Sequence, residues 1–251
     1  MSGHSHWATI RRKKGAQDAK RGQIFTRLSR EIVIAVREGG GDPSTNVSLQ
    51  LAIERARAQN MPKENIERSV RRGTGEDKES GSIEEVFYEG YGPHGVALMI
   101  ESLTDNRNRA VAEIRHALTH GGGNMAEVGA VGWQFNRSAY FSFPARMLNY
   151  DKAFELAVEA GADDVYQDDE NIEIIGPVER FKAIGDRLLA ANIQPDEAHL
   201  RLIAKQDLEL PTSETVQVMR VIQALEDLDD VQNVYHNLKM SEEALAAIEA
   251  E

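Results

Sequence analysis

A stretch of ten residues, Gly73 to Ser82 (GTGEDKESGS), divides this chain into two parts with different hydrophobic patterns. Its Gly, Ser and charged residues are typical of a linker. Before it, apolar residues recur three and four positions apart, which predicts helices. Asn46 is a candidate N-cap, Pro62 suits a first helical turn, and Gly39 to Gly41 and Gly73 are candidate stops. The apolar positions are Ile24, Phe25, Leu28, Ile32 and Val36 in a first helix, Leu49, Ala52, Ile53 and Ala56 in a second, and Ile66 and Val70 in a third. We therefore predict a small three-helix domain.

After the linker, short strand-like segments alternate with helical ones. Gly92-Pro93-His94-Gly95 lies between two apolar segments, 86–91 and 96–103, which predicts a hairpin. From residue 139 onward the order strand, helix, strand, strand, helix, strand is the βαββαβ arrangement of a ferredoxin-like domain. The predicted elements are a helix at about 106–120, strands near 131–135 and 140–143, a helix at 152–160, strands at 164–167 and 172–175, a helix at 178–191 and a strand at 199–204.

The segment that precedes the βαββαβ pattern lacks one helix and one strand of the same pattern. Segments 212–225 and 231–235 supply a helix and a strand, so we predict that the third domain is inserted into the second. The predicted fold class is α+β, with an N-terminal three-helix domain followed by two ferredoxin-like α/β domains. The predicted domains are residues 1–75, residues 80–137 together with 207–240, and residues 138–206.

Charge is distributed as unevenly as hydrophobicity. Residues 4–30 contain eight Lys and Arg and one acid, Asp18, in a chain whose net charge is −12. Residues 1–75 carry +8, while the other 176 carry 14 Lys and Arg against 34 Asp and Glu, a charge of −20. A cationic head on an acidic body can bind a polyanion through one face, although a basic N-terminus can also be a solvated tail. Trp7 lies inside the charge run and favours binding. The candidate nucleic-acid-binding residues here are His4, His6, Trp7, Arg11, Arg12, Lys13, Lys14, Lys20, Arg21 and Arg27.

Composition excludes several classes of protein. The chain has no Cys, which excludes disulfides, thiol catalysis and cysteine-ligated zinc. No stretch approaches the roughly 20 apolar residues of a membrane-spanning helix, and the start lacks the apolar segment of a secretory signal. We expect a cytoplasmic, monomeric protein without membrane contact.

Three patterns that resemble catalytic or cofactor motifs have simpler explanations. Gly90 to Gly95 matches GxGxxG, but a strand follows where dinucleotide binding needs a helix N-terminus. His116 and His120 lie four apart without the HExxH pattern or an evident third ligand. The acidic pairs at 163–164, 168–169 and 229–230 lie at turns and element ends, where Asp caps and solubilises. No nucleophile, base and oxyanion donor converge, so we expect no enzymatic activity, no metal and no cofactor.

A second candidate contact lies at the start of the helix near residue 106. Asn106, Arg107, Asn108 and Arg109 crowd this position, where the helix dipole favours anions. Arginine binds phosphate as a fork and asparagine can read base edges, while a solvated helix cap is the alternative. We include these four residues among the candidate nucleic-acid-binding residues.

Four segments together resemble the YebC/PmpR family: GHSHWATIRRKKGAQDAKRGQIF at the start, FYEGYGPHGVALMIE and TDNRNRAVAEIRHA in the middle, and DVQNVYHN near the end. The resemblance extends from Gly3 to His236. It implies a helical N-terminal domain and two α/β domains around a cleft. The chain departs from the family at His6, where Lys is usual, and at Arg12-Lys13-Lys14, where His-Arg-Lys is common.

The resemblance also implies a nucleic-acid-binding regulator of gene expression. Some family members are described as probable DNA-binding transcriptional regulators, others act on the ribosome to relieve stalling, and the mitochondrial member is a translational activator. A basic arm without a recognisable helix-turn-helix pairing favours ribosomal RNA over promoter DNA. We therefore expect a ribosome-associated translation factor. A DNA-binding transcriptional regulator and a protein-interaction module that uses the acidic body are the alternatives.

Replacing Arg11, Arg12, Lys13 and Lys14 by Ala should flatten the salt dependence of RNA binding. Removing up to about four phosphate contacts lowers the slope of log K against log salt by about 3. Filter binding of the full chain over a range of salt concentrations measures this slope, and an unchanged slope would contradict a role for the arm.

Overall fold

The computed structural model of the chain describes residues 21–76, 83–168 and 170–249, which form an α+β fold of helices followed by two four-stranded sheets. This confirms the predicted fold class. The N-terminal helices are α1 (Arg21–Gly39), α2 (Val47–Ala58) and α3 (Lys63–Thr74). The first sheet and its helices comprise β1 (Glu84–Tyr91), β2 (Ala97–Thr104), α4 (Arg107–His120), β3 (Asn124–Met125), α7 (Thr212–Glu226) and β8 (Val231–His236). The second sheet and its helices comprise β4 (Phe135–Pro144), α5 (Tyr150–Ala160), β5 (Asp164–Gln167), β6 (Asn171–Gly176), α6 (Phe181–Ala190) and β7 (Glu197–Ala204), and α8 (Glu242–Glu249) follows β8.

The junction between α1 and α2 is held by the buried side chain of Asn46. Its Oδ1 accepts a hydrogen bond from Leu49 N (3.0 Å), which caps α2 as the sequence predicts. Its Nδ2 donates to Ala35 O (2.7 Å) and Gly40 O (2.8 Å) at the end of α1. A Cβ on Gly39 would lie 2.6 Å from Asn46 Nδ2. The side-chain amide of Asn46 therefore stabilises both the end of α1 and the start of α2.

The end of α3 differs from the prediction, because Gly73 lies inside the helix. The helix continues to Thr74 and ends at Gly75, which has a φ of +78°. A Cβ on Gly73 would stand 2.6 Å from the Cβ of Val36. Gly73 thus serves the close approach of α3 to α1, and the left-handed glycine two residues later is the stop.

The first sheet has the strand order β3-β1-β2-β8, and its central strand β2 is buried along its whole length. β1 and β2 form the predicted hairpin, closed by a single 3-10 turn in which His94 and Gly95 have positive φ angles of 60° and 79°. One face packs against α4 and α7 through Ile114, Leu118 and Ile222. A smaller apolar cluster that includes Met99, Phe135 and Tyr235 forms a second core.

The strand predicted near 131–135 is absent. Gly132–Gln134 form a 3-10 turn, β4 begins only at Phe135, and the two-residue β3 is the outer strand of the first sheet. The backbone N–H groups of Val131 and Gly132 donate to the carboxylate of Glu89, so they are not available to a neighbouring strand. The apolar residues that suggested a strand belong to a folded loop.

The second sheet has the order β5-β6-β4-β7. Along the chain this places the third strand between the second and the first, with the fourth beside the first, and β6 runs antiparallel to both β4 and β5. This is the βαββαβ pattern that the sequence predicts. Its core is formed by β4, β6, α5 and α6 and includes Phe141, Phe143, Ile172, Ile174, Ile184 and Leu188.

From residue 24 onward, the described residues divide into two compact units. One contains residues 24–76 and 137–201, and the other contains residues 83–136 and 202–249. Within the first unit, Ser48 Oγ donates to Ala198 O (2.7 Å) and Leu51 packs in the core of the second sheet. The predicted limits of the three domains, and the cleft between them, stay predictions.

Among the described residues, none of the helices is long and apolar enough to cross a membrane.

We expect Asn46→Ala to destabilise the first unit by about 2 to 3 kcal/mol, because it removes a helix cap and leaves two carbonyls with a lost donor. Asn149→Ala is the matched control, since Asn149 is an exposed N-cap in the same unit whose side chain accepts only from Lys152 N. Its loss should cost about 1 kcal/mol. Urea unfolding of both variants measures the difference, and equal midpoints would contradict the bridging role of Asn46.

Candidate nucleic-acid interface

Most of the arm lies outside the described residues. This holds for His4, His6, Trp7, Arg11, Arg12, Lys13, Lys14 and Lys20, whose contact with nucleic acid stays a prediction. Arg21 is the first residue of α1, and Arg27 is half-buried one and a half turns further along the same helix. The described candidates therefore lie in α1 and at the start of α4.

The start of α4 is a built helix cap. Asn106 Oδ1 accepts from Arg109 N (3.1 Å), and Asn106 N donates to Thr104 Oγ1 (2.9 Å). Asn106, Arg107, Asn108 and Arg109 are all exposed, and their contact with nucleic acid stays a prediction. The capping explanation holds for Asn106, whereas Asn108 is exposed at the second position of the helix.

Arg109 is anchored to a buried carboxylate. Its Nε and one terminal nitrogen donate to the two oxygens of Asp230, each at 2.9 Å, and the same terminal nitrogen donates to Asp105 Oδ1 at 2.8 Å. The Asp230 side chain is 2% exposed and also accepts from Thr104 Oγ1 (3.0 Å). The hydrogen bonds to Asp105 and Asp230 raise the pKa of Arg109 above its usual value, so the guanidinium remains charged. The edge of the guanidinium formed by Nε and this terminal nitrogen is therefore already occupied by carboxylates and is not available to a phosphate.

Arg107 is bound more loosely than Arg109. Its Nε forms an ion pair with Glu84, and both side chains are largely exposed. Exposed pairs of this kind contribute little to stability, so a phosphate group can replace the carboxylate at small cost. Of the two arginines at this helix start, Arg107 is the better candidate for a nucleic-acid contact.

A basic face on α3 is a candidate that the sequence analysis did not single out. Arg68, Arg71 and Arg72 occupy positions i, i+3 and i+4 and therefore share one face of the helix. That face lies opposite the one that contains Ile66 and Ser69, which are buried. Within residues 21–76, 83–168 and 170–249, none of the three arginines makes an ion pair. The i, i+3, i+4 spacing of these arginines in the sequence is the feature that indicates a basic helix face.

Several acids of the same helices are already paired. Glu31 binds Arg55 (2.6 Å) and Glu67 binds Lys63 (3.5 Å). Glu38 binds Arg137 (2.5 Å), which lies in the same compact unit. Glu64 and Glu67 lie four positions before Arg68 and Arg71 on α3, but in the part of the chain that the structure describes neither forms an ion pair with these arginines. The last turn of α3 therefore presents a cationic surface that a polyanion can bind.

The other unit presents an exposed tryptophan on a fixed loop. Glu89 in β1 accepts hydrogen bonds from the backbone N–H groups of Gly129 (2.7 Å), Val131 (2.6 Å) and Gly132 (2.9 Å). Burial would raise the pKa of Glu89, but these three donors together lower it, so the carboxylate stays charged near neutral pH. Trp133 is 68% exposed, and its indole N–H donates to Ala130 O (3.0 Å).

This loop holds an aromatic ring in solvent without leaving its indole N–H unpaired. No local pattern in the sequence indicates this loop, because its contacts join β1 to residues about forty positions later. Exposed aromatic rings on rigid supports are suited to stacking on unpaired bases.

The two histidines of α4 lie close together but have no third metal-ligating side chain beside them among the described residues. The rings of His116 and His120 lie 6.1 Å apart between centroids. Across the described parts of the chain, no group of three or more metal-ligating side chains comes together.

Comparison with known proteins gives consistent matches over the whole length. A family model described as the TACO1/YebC protein N-terminal domain matches residues 5–76, and one described as the TACO1/YebC second and third domain matches residues 83–238. A probable transcriptional regulatory protein of Chlorobaculum tepidum is 45% identical over 252 residues, which span 100% of both chains. One from Acidithiobacillus ferrooxidans is 47% identical over 250 residues, covering 100% of this chain and 99% of that one.

A solved structure agrees with the fold. The crystal structure of a conserved hypothetical protein from Aquifex aeolicus matches with a TM-score of 0.79 and 38% sequence identity, covering 90% of this chain and 93% of that chain.

Arg109→Ala and Arg107→Ala should differ sharply in stability. The first leaves the buried Asp230 carboxylate without its ion pair, which we expect to cost about 2 to 4 kcal/mol, since Arg109 itself is 44% exposed. The second removes an exposed pair and should cost less than about 1 kcal/mol. Thermal unfolding at neutral pH compares them, and similar losses would contradict the structural assignment of Arg109.

Proposed function

Because this chain belongs to the TACO1/YebC family, we propose that it is a cytoplasmic nucleic-acid-binding regulator of gene expression whose target is ribosomal RNA. In this proposal the protein acts on the ribosome as a translation factor that relieves stalling. It binds through the basic head and arm, and it catalyses no reaction. The relatives are named probable transcriptional regulatory proteins, which supports nucleic-acid binding in general.

The observation that carries the proposal is the arginine face of α3, whose three guanidinium groups form no ion pair within the described residues. Arg68, Arg71 and Arg72 converge on one side of the helix, opposite its buried side. Gly75, in the left-handed conformation, ends the helix directly after them. Carbonyl groups at this helix end add negative partial charge, so the anion must be bound by the side chains rather than by the helix dipole. A phosphate backbone lying across the three guanidinium groups satisfies this geometry.

The distribution of charge along α3 favours RNA over duplex DNA. α2 and α3 are joined by a short turn, residues 59–62, which by itself resembles the connection in a helix-turn-helix. A recognition helix contacts base edges mainly through its N-terminal residues, but here the first two turns carry Glu64 and Glu67, with Lys63 paired to Glu67. Acids at this position would face the phosphates that border the groove. Arg71 and Arg72 in the last turn, with Arg68 at the middle of the helix, are better suited to the irregular backbone of folded RNA.

The exposed ring of Trp133 gives this proposal a second support. Single-stranded bases stack on aromatic side chains, and each such contact contributes about 1 to 3 kcal/mol. Trp133 is held outward by the loop that Glu89 anchors, so its ordering costs little on binding. A duplex offers few unstacked bases to this ring, whereas loops and bulges of ribosomal RNA offer many.

The test is binding of the full chain to a structured ribosomal RNA fragment and to duplex DNA of equal length at equal salt. We expect the RNA to bind more tightly. The variant R68A/R71A/R72A should lower the slope of log K against log salt by about 2, as the loss of three phosphate contacts requires. The control is K182A/R187A, which removes two cations of α6 that are already paired with Asp186 and Glu159.

Two results would overturn parts of this proposal. A wild-type salt slope in the α3 variant would remove this face from the site. Tighter binding of one particular DNA sequence than of the RNA would favour a DNA-binding transcriptional regulator. Sedimentation of the protein with ribosomes at low and high salt then distinguishes the ribosome-associated role from binding to free RNA.

A further inference from the structure

An apolar stripe on α5 is exposed along the whole helix. Tyr150, Phe154 and Val158 lie at positions i, i+4 and i+8 and are 40%, 45% and 55% exposed. The rings of Tyr150 and Phe154 are stacked, with centroids 6.1 Å apart. The core-facing residues of the same helix, including Ala153 and Ala157, occupy the neighbouring face. Exposed apolar residues are common singly, but an ordered stripe of large ones marks an interaction surface.

An acidic stripe runs directly beside the apolar one. Asp151, Glu155 and Glu159 each follow one member of the apolar stripe by one position, which places them about 100° further around the helix. Glu159 pairs with the exposed Arg187 of α6, while Asp151 and Glu155 make no ion pair within the described residues. Lys152, three positions before Glu155, lies on the same side, so the surface combines apolar anchors with a net negative charge on one side.

The edge of the neighbouring strand is blocked against strand addition. β5 is the outer strand of the second sheet, and at such an edge an extended peptide could add. At Val165, however, the carbonyl accepts from Tyr150 Oη (3.3 Å) and the N–H donates to Asp164 Oδ1 (2.8 Å). At this residue, side chains of the chain itself satisfy both backbone groups that a new strand would need. A helix, which needs no backbone partner, is the better occupant.

We propose that this α5 surface, formed by Tyr150, Phe154 and Val158 with Asp151 and Glu155 beside them, binds an amphipathic helix of a partner protein that carries Lys and Arg beside its apolar face. The apolar residues of the partner pack on the aromatic pair, which supplies the anchors that dominate such interfaces. The acids of α5 orient the basic side chains and exclude acidic partners. The same acids repel phosphate, so this surface is distinct from the nucleic-acid site and does not depend on it.

The experiment measures binding of the full chain to a fluorescein-labelled peptide of about 18 residues, with Leu at helical spacing and Lys on both flanks. One comparison peptide has the same composition in an order that breaks the helical spacing, and a second has Glu in place of Lys. We expect fluorescence anisotropy to report binding of the first peptide alone.

Matched variants locate the binding surface. V158S should weaken binding by about tenfold, and V128S should leave it unchanged, because Val128 is a 94% exposed valine of the other compact unit. The charge reversal D151K/E155K should weaken the basic peptide and allow the acidic peptide to bind. A merely structural defect would not produce this exchange of preference.

Several outcomes would overturn the proposal. These are equal binding by V158S and V128S, equal binding of the peptide whose order breaks the helical spacing, or loss of both peptides on charge reversal. A concentration-dependent dimer in sedimentation velocity that F154A abolishes would assign the surface to a second copy of the chain. Peptide binding that requires neutralised Arg11, Arg12, Lys13 and Lys14 would assign it to the basic arm of this chain.

Discussion

The buried carboxylate of Asp230 holds together the elements of the first sheet. Its side chain accepts from Arg109 in α4 and from Thr104 at the end of β2. Its backbone carbonyl accepts from Ser102 Oγ (2.7 Å) and Leu103 N (2.9 Å), just before β8 pairs with β2. A carboxylate with only 2% exposure is tolerated because Arg109 supplies the opposite charge and Thr104 Oγ1 donates a further hydrogen bond to it. The start of α4, with its exposed Asn108 and Arg107, is placed by this interaction.

Local signals in the sequence predict much of this fold. Asn46 caps α2 because a short amide at that position can accept from the third residue of the helix, and this depends on nearby residues alone. The hairpin of β1 and β2 follows from the turn sequence Gly92-Pro93-His94-Gly95 between two apolar segments, in which Gly95 adopts a positive φ angle. The order of the βαββαβ elements likewise follows from alternating periodicity.

Features that depend on distant residues could not be predicted in this way. Glycine is common at helix ends, so the sequence predicts that Gly73 ends α3. In the structure, Gly73 instead allows the helix to pack closely against Val36, 37 positions earlier. From the sequence alone Arg109 is a candidate phosphate ligand, but the fold brings Asp230, 121 positions away, into hydrogen-bonding contact with it. The apolar residues near 131 suggest a strand, but in the structure the N–H of Val131 donates to the carboxylate of Glu89 instead of to a neighbouring strand. The candidate site is therefore only partly predictable, since pairing decides which cations remain available.

The distribution of unpaired charge suggests how one chain can bind partners of opposite sign. Within the described residues, three arginines on α3 form no ion pair, and neither do two acids beside an apolar stripe on α5. A polyanion and a basic helix are thus directed to different helices. The net charge of −12 does not describe either surface. Both surfaces depend on local pairing more than on the total composition of the chain.

In the loop that Glu89 anchors, the residues that fix the backbone are different from the residues that are exposed to solvent. All three contacts to the carboxylate come from backbone N–H groups, so they do not depend on the side chains of Gly129, Val131 and Gly132. Only the positive φ of Gly129 (91°) constrains which amino acid can occupy that position. The outward residues, Val128 and Trp133, are free of this constraint. Substitutions at these two positions can therefore change which ligand the loop prefers while its backbone conformation is kept.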